Sequence, residues 1–321
     1  MLRVVASKND PNYGKGVAYI AEDDASLLDE SEIAAKIEAL LKAPDYEPPR
    51  PPEVATQLLR LSQQSDVEID QIVDLLKRDA MMTARVLQVA QSPHYQRSSP
   101  IQSMREAVTR LGLGFIRDMV LNISLQLRVF RAEAYEETMD RLRLHSLATA
   151  YAAQIVCRYS TLPADYAFIC GLMHDVGIAA SLIALAESSP RKSPPSMISV
   201  WPAVERLHPD AGVTLAKTWE LPNEIQWVLK AHHTTQLDGQ LHPMSAAVCL
   251  ANQLAIELGF GLVGDANGDD DSIEAACQAS LHQIDQTSEK VVAQAVKGLG
   301  LSEDQLDCIR ADLEKVRGEI V

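Results

Sequence analysis

Asp165-Tyr-Ala-Phe-Ile-Cys-Gly-Leu-Met-His-Asp-Val-Gly-Ile-Ala-Ala180 is an apolar run interrupted at its centre by His174 and Asp175. Gly171 and Gly177 on either side let other backbone approach closely. A carboxylate buried without a partner costs several kcal/mol or takes up a proton. An adjacent imidazole and carboxylate are satisfied most readily by a divalent metal or by further histidines. The chain supplies them at His145, His208, His232 and His233. The energetics predict that His174, Asp175, His208 and at least one of His232 and His233 converge, between helices of the 165 to 255 region. Two arrangements would satisfy Asp175. One is a chain of hydrogen bonds from imidazole N–H donors. The other is one divalent transition metal (Fe, Mn or Zn), for which three imidazoles and a carboxylate are a sufficient ligand set.

Outward from this stretch, composition sets the class. The chain of 321 residues is 47% hydrophobic but only 5% aromatic, so its core is built from Leu, Ile, Val and Ala. A net charge of −15 and a pI near 4.9 argue against nucleic-acid binding by bulk electrostatics. Five cysteines without C-x-x-C spacing point to buried thiols in a reducing, cytoplasmic setting. Residues 164 to 186 have the length of a membrane span, but Asp165, His174 and Asp175 make insertion costly, and a buried helix is the expectation.

From Glu53 onward the apolar period is helical, which predicts an all-α, multi-helix bundle. A short helix over 30 to 42 precedes Pro48-Pro-Arg-Pro-Pro52, a stiff lead-in. Asn12-Tyr-Gly-Lys-Gly16 lacks the spacing of a phosphate loop. Ser103 with Glu106, and Ser302 with Gln305, are capping-box signatures. Pro163 is expected in the first turn of a helix that carries His174-Asp175 through to about Leu185. His208-Pro209 is expected to stand just ahead of a helix over 210 to 219. His232-His233 closes another, with Thr234-Thr235 and Asp238-Gly239 beyond it. Arg105, Arg110 and Arg117 belong to an arginine-rich segment, read as an exposed helix face and a candidate ligand or partner patch. The chain divides into an N-terminal extension (1 to 44), a helical domain (45 to 255) and a C-terminal helical segment packing on it (256 to 321).

The order His145, His174-Asp175, His208, His232-His233 and Asn252 resembles the HD superfamily of metal-dependent phosphohydrolases. More closely, residues 45 to 255 resemble the HDOD domain, an HD-related output module of bacterial signalling proteins. The resemblance is carried by Pro48-Pro-Arg-Pro-Pro-Glu-Val54, Arg78-Asp-Ala-Met-Met-Thr-Ala-Arg-Val-Leu87 and Pro100-Ile-Gln-Ser-Met-Arg-Glu-Ala-Val108. Gly171-Leu-Met-His-Asp-Val-Gly177, His208-Pro-Asp-Ala-Gly212 and Trp219-Glu-Leu-Pro222 extend it in the same order. It implies an all-helical domain in signal transduction and a metal set of His145, His174, Asp175, His208, His232, His233 and the residue at 252. Active HD enzymes carry an Asp at that last position, where this chain has Asn252, a weaker ligand. Relatives that cleave cyclic dinucleotides have a Lys where this chain has Ile178. The expectation is therefore a non-catalytic regulatory module with a vestigial metal site, acting on a signalling protein partner and without a membrane. A metal-dependent phosphohydrolase of narrow activity is the alternative, and nucleotide binding without turnover a third.

Overall fold

The structure, a computed structural model, describes residues 3–4, 19–20, 30–43, 46, 48–64, 66–92, 101, 103–164, 166–188, 195–262 and 289–320. The turn at Asn12 to Gly16, Pro93, most of the polar loop at 188 to 196, and the acidic run at Asp265 to Asp271 lie outside the described residues.

The all-α expectation holds. Helices α1 (Glu30–Leu41), α2 (Glu53–Leu61), α3 (Ile69–Leu76), α4 (Ala80–Ala90), α5 (Met104–Leu111) and α6 (Leu113–Arg128) make the first half. A short 3-10 turn (Glu133–Tyr135) leads into α7 (Glu136–Tyr159), α8 (Ala167–Met173), α9 (Val176–Glu187), α10 (Met197–Thr218), α11 (Asn223–Ala231) and α12 (Pro243–Glu257). Residues 289–299 form α13, and α14 (Glu303–Ile320) ends the described chain. Two small antiparallel pairings, Arg3–Val4 with Tyr19–Ile20 and Gln236–Leu237 with Gln240–Leu241, are the β-structure among the described residues. In the second, Asp238 and Gly239 both take positive φ, as a two-residue hairpin turn requires.

Ser103 caps α5, and a reciprocal capping box forms at Ser302. The Ser103 hydroxyl accepts from the Glu106 amide, and Ser302 and Gln305 satisfy each other's backbone N–H groups. Helices α2 to α6 pack among themselves and meet the second half where α6 touches α8. There α7, α8 and α12 form one packed group and α9, α10 and α11 another, joined where α11 touches α8 and α12, with α1 across α9 and α10 and α14 along α7. One contiguous aliphatic core runs through both halves.

Two helix expectations are corrected. The apolar stretch is two helices, broken at His174-Asp175, and Pro163 precedes the first of them. The stretch Ala167–Glu187 is long and apolar enough to cross a membrane, yet its most apolar 18-residue window is buried inside the fold. Conversely, α10 runs unbroken through His208, with Pro202 and Pro209 inside it. Both departures have a cause in the histidines themselves.

Candidate metal centre

In α8, the Nδ1–H of His174 donates to the Gly171 carbonyl at 2.8 Å. That carbonyl would otherwise serve the amide of Asp175, so the imidazole replaces a backbone donor where the helix stops. In α10, the Nδ1–H of His208 donates to the Glu205 carbonyl at 2.6 Å. Its helical partner would be the nitrogen of Pro209, which has no hydrogen, and the ring fills the gap that lets Pro209 sit inside a helix. At the end of α11, the Nδ1–H of His232 donates to the Leu229 carbonyl at 3.0 Å, again at a helix terminus. His145 on α7 uses a distant partner, the Phe260 carbonyl beyond α12, at 2.9 Å.

Four imidazoles thus spend their Nδ1 protons on backbone carbonyls, which fixes the tautomer and leaves each Nε2 as a bare lone pair. All four Nε2 atoms face Asp175. Oδ2 lies 3.1 Å from His174 and 3.6 Å from His145; Oδ1 lies 3.4 Å from His208 and 3.3 Å from His232. The rings also meet one another, Nε2 to Nε2, at 3.3 Å (His145 and His174), 3.1 Å (His208 and His232) and 2.9 Å (His208 and His233). Asp175 and these four histidines are at most 4% exposed. His233 turns Nε2 inward against His208 and packs on the rings of His208 and His232, though the residue as a whole is exposed.

Neutral imidazoles with their protons turned outward cannot hydrogen-bond to each other or to a carboxylate. Facing acceptors need a positive charge between them, from a metal ion or from imidazolium protons. Burial pushes the His208 pKa down to about 4, and burial with the neighbouring imidazoles pushes His233 well below its usual range. Asp175 is desolvated too, but positive charge on the surrounding rings, on His174 foremost, holds its carboxyl well below the ordinary value. Oδ1 of this ionised group has no hydrogen-bond partner. The hydrogen-bonded arrangement considered from sequence is therefore poorly served, and the donor set fits a divalent transition metal. Ligand bonds of about 2.1 Å at tetrahedral or octahedral angles place donors about 3.0–3.4 Å apart, close to the spacings found here. Two overlapping groups have this geometry: Asp175, His208, His232 and His233, and His145, His174 and Asp175, sharing the carboxylate.

Asn252 lies on α12, which packs on α7 and α8, and its buried Oδ1 has no hydrogen-bond partner. No hydrogen bond ties it to the cluster. Ile178 is buried in α9. The three arginines do not share one exposed face. Arg105 pairs with Asp70 in solvent, and Arg110 with Glu106. Arg117 is buried, 2.7 Å from Asp118, with the Tyr166 ring against its guanidinium and Gln154 donating to Asp118. The adjacent carboxylate neutralises the guanidinium, which is what lets an arginine enter the interface between α6 and α8. The carbonyls of Gly171, Glu205, Leu229 and Phe260 were not foreseen. The first three carry a sequence signal, a histidine three residues after a carbonyl that helix ends or Pro209 leave free. Phe260 carries none.

A family model for the HDOD domain matches residues 49–235. An uncharacterised protein of Treponema pallidum (strain Nichols) is 24% identical over 216 residues, 64% of this chain and 41% of that protein. The chain thus spans about two fifths of that relative's length. The crystal structure of an HDOD domain protein of unknown function from Geobacter sulfurreducens superposes with a TM-score of 0.59 at 23% identity, covering 91% of this chain and 97% of that one. A protein from Shewanella amazonensis SB2B, named for a metal-dependent phosphohydrolase, gives 0.60 at 21% identity, covering 88% and 99%. With its family match extending over more than half its length and the helical fold shared with these structures, the chain belongs to the HDOD family.

Proposed function

We propose that this chain is a non-catalytic regulatory module, in which a divalent metal ion held by Asp175, His208, His232 and His233 fixes the packing of α8 to α11 for recognition by a signalling protein. The observation that carries this reading is the enclosure of the donors: only His233 reaches solvent, so a substrate has little approach to the ion. The family resemblance adds that the last carboxylate ligand is replaced by Asn252 and a phosphate-facing cation by Ile178. A bound metal would supply Lewis acidity. The protein's own contribution is to pin four rings through their Nδ1 atoms and to exclude water. Among iron, manganese and zinc, the imidazole-rich set accepts each.

A second reading, a narrow phosphohydrolase, is favoured by the two adjoining donor groups that share Asp175. Metal analysis of the purified protein together with a hydrolysis assay on cyclic dinucleotides and nucleoside phosphates separates the two. Bound metal without turnover is expected. Robust turnover that vanishes in Asp175→Ala would overturn the regulatory reading and establish the enzyme. Nucleotide binding without hydrolysis would show in the same samples as saturable binding with no product.

A further inference from the structure

Helix α1 precedes the family match at residues 49–235, yet it covers the two helices that carry Asp175 and His208. Its stripe of Ile33, Ala34, Ile37 and Leu41 recurs at helical spacing and is buried, Ile37 completely, while α1 packs on both α9 and α10. Glu30 reaches Arg206 on α10, Oε1 to Nε, at 3.3 Å. Arg206 stands between His208 and Glu205, whose carbonyl anchors the His208 ring. The same two helices touch backbone to backbone: a Cβ placed on Gly177 would lie 1.9 Å from the His208 carbonyl oxygen. Asp175 is the N-cap of α9. The residues from Val176 to Leu185 are buried without exception, so α9 is apolar around its whole circumference. Such a helix needs cover on every side, and α1 supplies one of them.

We propose that the α9–α10 groove is a helix-docking surface, filled in cis by the chain's own α1, and that docking there holds Asp175 and His208 at metal-binding separation. Metal binding and α1 docking are then coupled, each strengthening the other by the same factor. The inference rests on the metal reading above.

The test uses the full chain carrying Ile33→Asp and Ile37→Asp, beside wild type and Ile37→Val. Tryptic cleavage after Lys42, exposed at the end of α1, reports release, and far-ultraviolet circular dichroism reports the remaining fold. Mn²⁺ affinity is read by competition with a chromophoric chelator. The double variant is expected to be cleaved faster and to bind Mn²⁺ about tenfold more weakly, the scale of losing a support behind metal ligands. A synthetic peptide of residues 28 to 43 should restore its affinity and leave wild type and Ile37→Val unchanged, and Mn²⁺ should slow cleavage of wild type. Unchanged affinity in a folded variant whose α1 is released would overturn the coupling. Crosslinking of α1 to a second copy in wild type would overturn the cis assignment. If the double variant does not fold, Glu30→Arg decides: a weakening of about twofold, consistent with a half-exposed ion pair, should be reversed by adding Arg206→Glu. Equal affinities in those two proteins and wild type would overturn the proposal. A wild type that binds no Mn²⁺, Zn²⁺ or Fe²⁺ removes the metal reading and the coupling together, whereas equal affinities with α1 docked and released remove the coupling alone.

Discussion

Replacing Gly177 by alanine tests how closely the metal centre depends on one backbone contact. The new Cβ would lie 1.9 Å from the carbonyl oxygen of His208 and 2.6 Å from the amide nitrogen of Gly212. Real Cβ contacts essentially never fall under 3.0 Å. Helices α9 and α10 must therefore separate by about 1 Å, and because both obstacles are backbone, no rotamer change relieves them. Overpacking of this kind costs about 1–3 kcal/mol or more, and rigid backbone puts this case at the upper end. The gain in helix propensity from glycine to alanine is about 1 kcal/mol and does not offset it. At roughly 2–4 °C per kcal/mol for a domain of this size, the net loss lowers the melting temperature by several degrees. The metal is affected more. His208 Nε2 sits 3.4 Å from Asp175 Oδ1 and 3.1 Å from His232 Nε2, whereas ligand bonds tolerate only about ±0.2 Å. Affinity for Mn²⁺ or Zn²⁺ should fall at least about tenfold. Gly212→Ala is the control, since its Cβ comes no closer than 3.3 Å to anything, and that to the flexible Leu229 Cδ2, with Gly177 N and Val176 Cγ1 at ordinary contact of 3.6 and 3.7 Å; it should change both quantities little. Scanning calorimetry and metal titration of the two variants make the measurement. A Gly177→Ala protein that melts and binds metal like wild type would refute the argument that this contact sets the site.

Three further outcomes are expected. Arg117→Gln strands the buried Asp118 carboxylate, whose pKa burial has already raised to about 6 against the pull of Arg117, and should cost about 3–5 kcal/mol in urea unfolding. Arg105→Gln breaks only an exposed pair and should stay within about 0.5 kcal/mol; equal effects would contradict the burial assignment. In metal-free protein, stability should fall on acidification from about pH 6.5 to 4. The folded-state pKa of His208, about 4, lies below its unfolded value near 6.5, so the unfolded state binds the proton first and the stability present above pH 6.5 is lost as pH drops. His233, also depressed, acts in the same direction, while Asp175, held below the ordinary carboxylate value, adds its own loss only as pH falls below about 4. Asp118 opposes them, its raised pKa favouring the folded state as pH falls through about 6. A melting temperature at pH 4.5 equal to or above that at pH 7 would show that the two histidines do not prevail. Finally, Asp175→Asn should abolish metal binding, because both donor groups share that carboxylate; retention of half the bound metal would show the groups to be independent.

The sequence determined the helical class, because apolar residues recur at helical spacing from Glu53 onward and composition leaves few aromatic alternatives. It also determined that His174 and Asp175 need histidine company, since a charged pair in an apolar run has no cheaper solution. Even the ring anchors are local: His174, His208 and His232 each reach the carbonyl three residues back, where a helix end or Pro209 leaves that carbonyl without its amide. The helix bounds at these points were misread for the same reason. A proline ordinarily stops a helix and an apolar run ordinarily continues one, but here a side-chain donor makes up for one missing amide and displaces another.

Tertiary structure alone decided the rest. His145 is oriented by a carbonyl from a remote segment, at Phe260, and no spacing announces a contact between parts of the chain so far apart. In the sequence Arg117 belongs to an arginine-rich helix face that local spacing places in solvent; only the arrival of Tyr166 and Gln154 from α8's start and α7 encloses it with Asp118. The convergence of five Nε2 atoms and one carboxylate on a shared space depends on the relative placement of α7, α8, α10 and α11. Local sequence sets what each ring bonds behind it; the packing of whole helices, down to the absence of a Cβ on Gly177, sets what it faces.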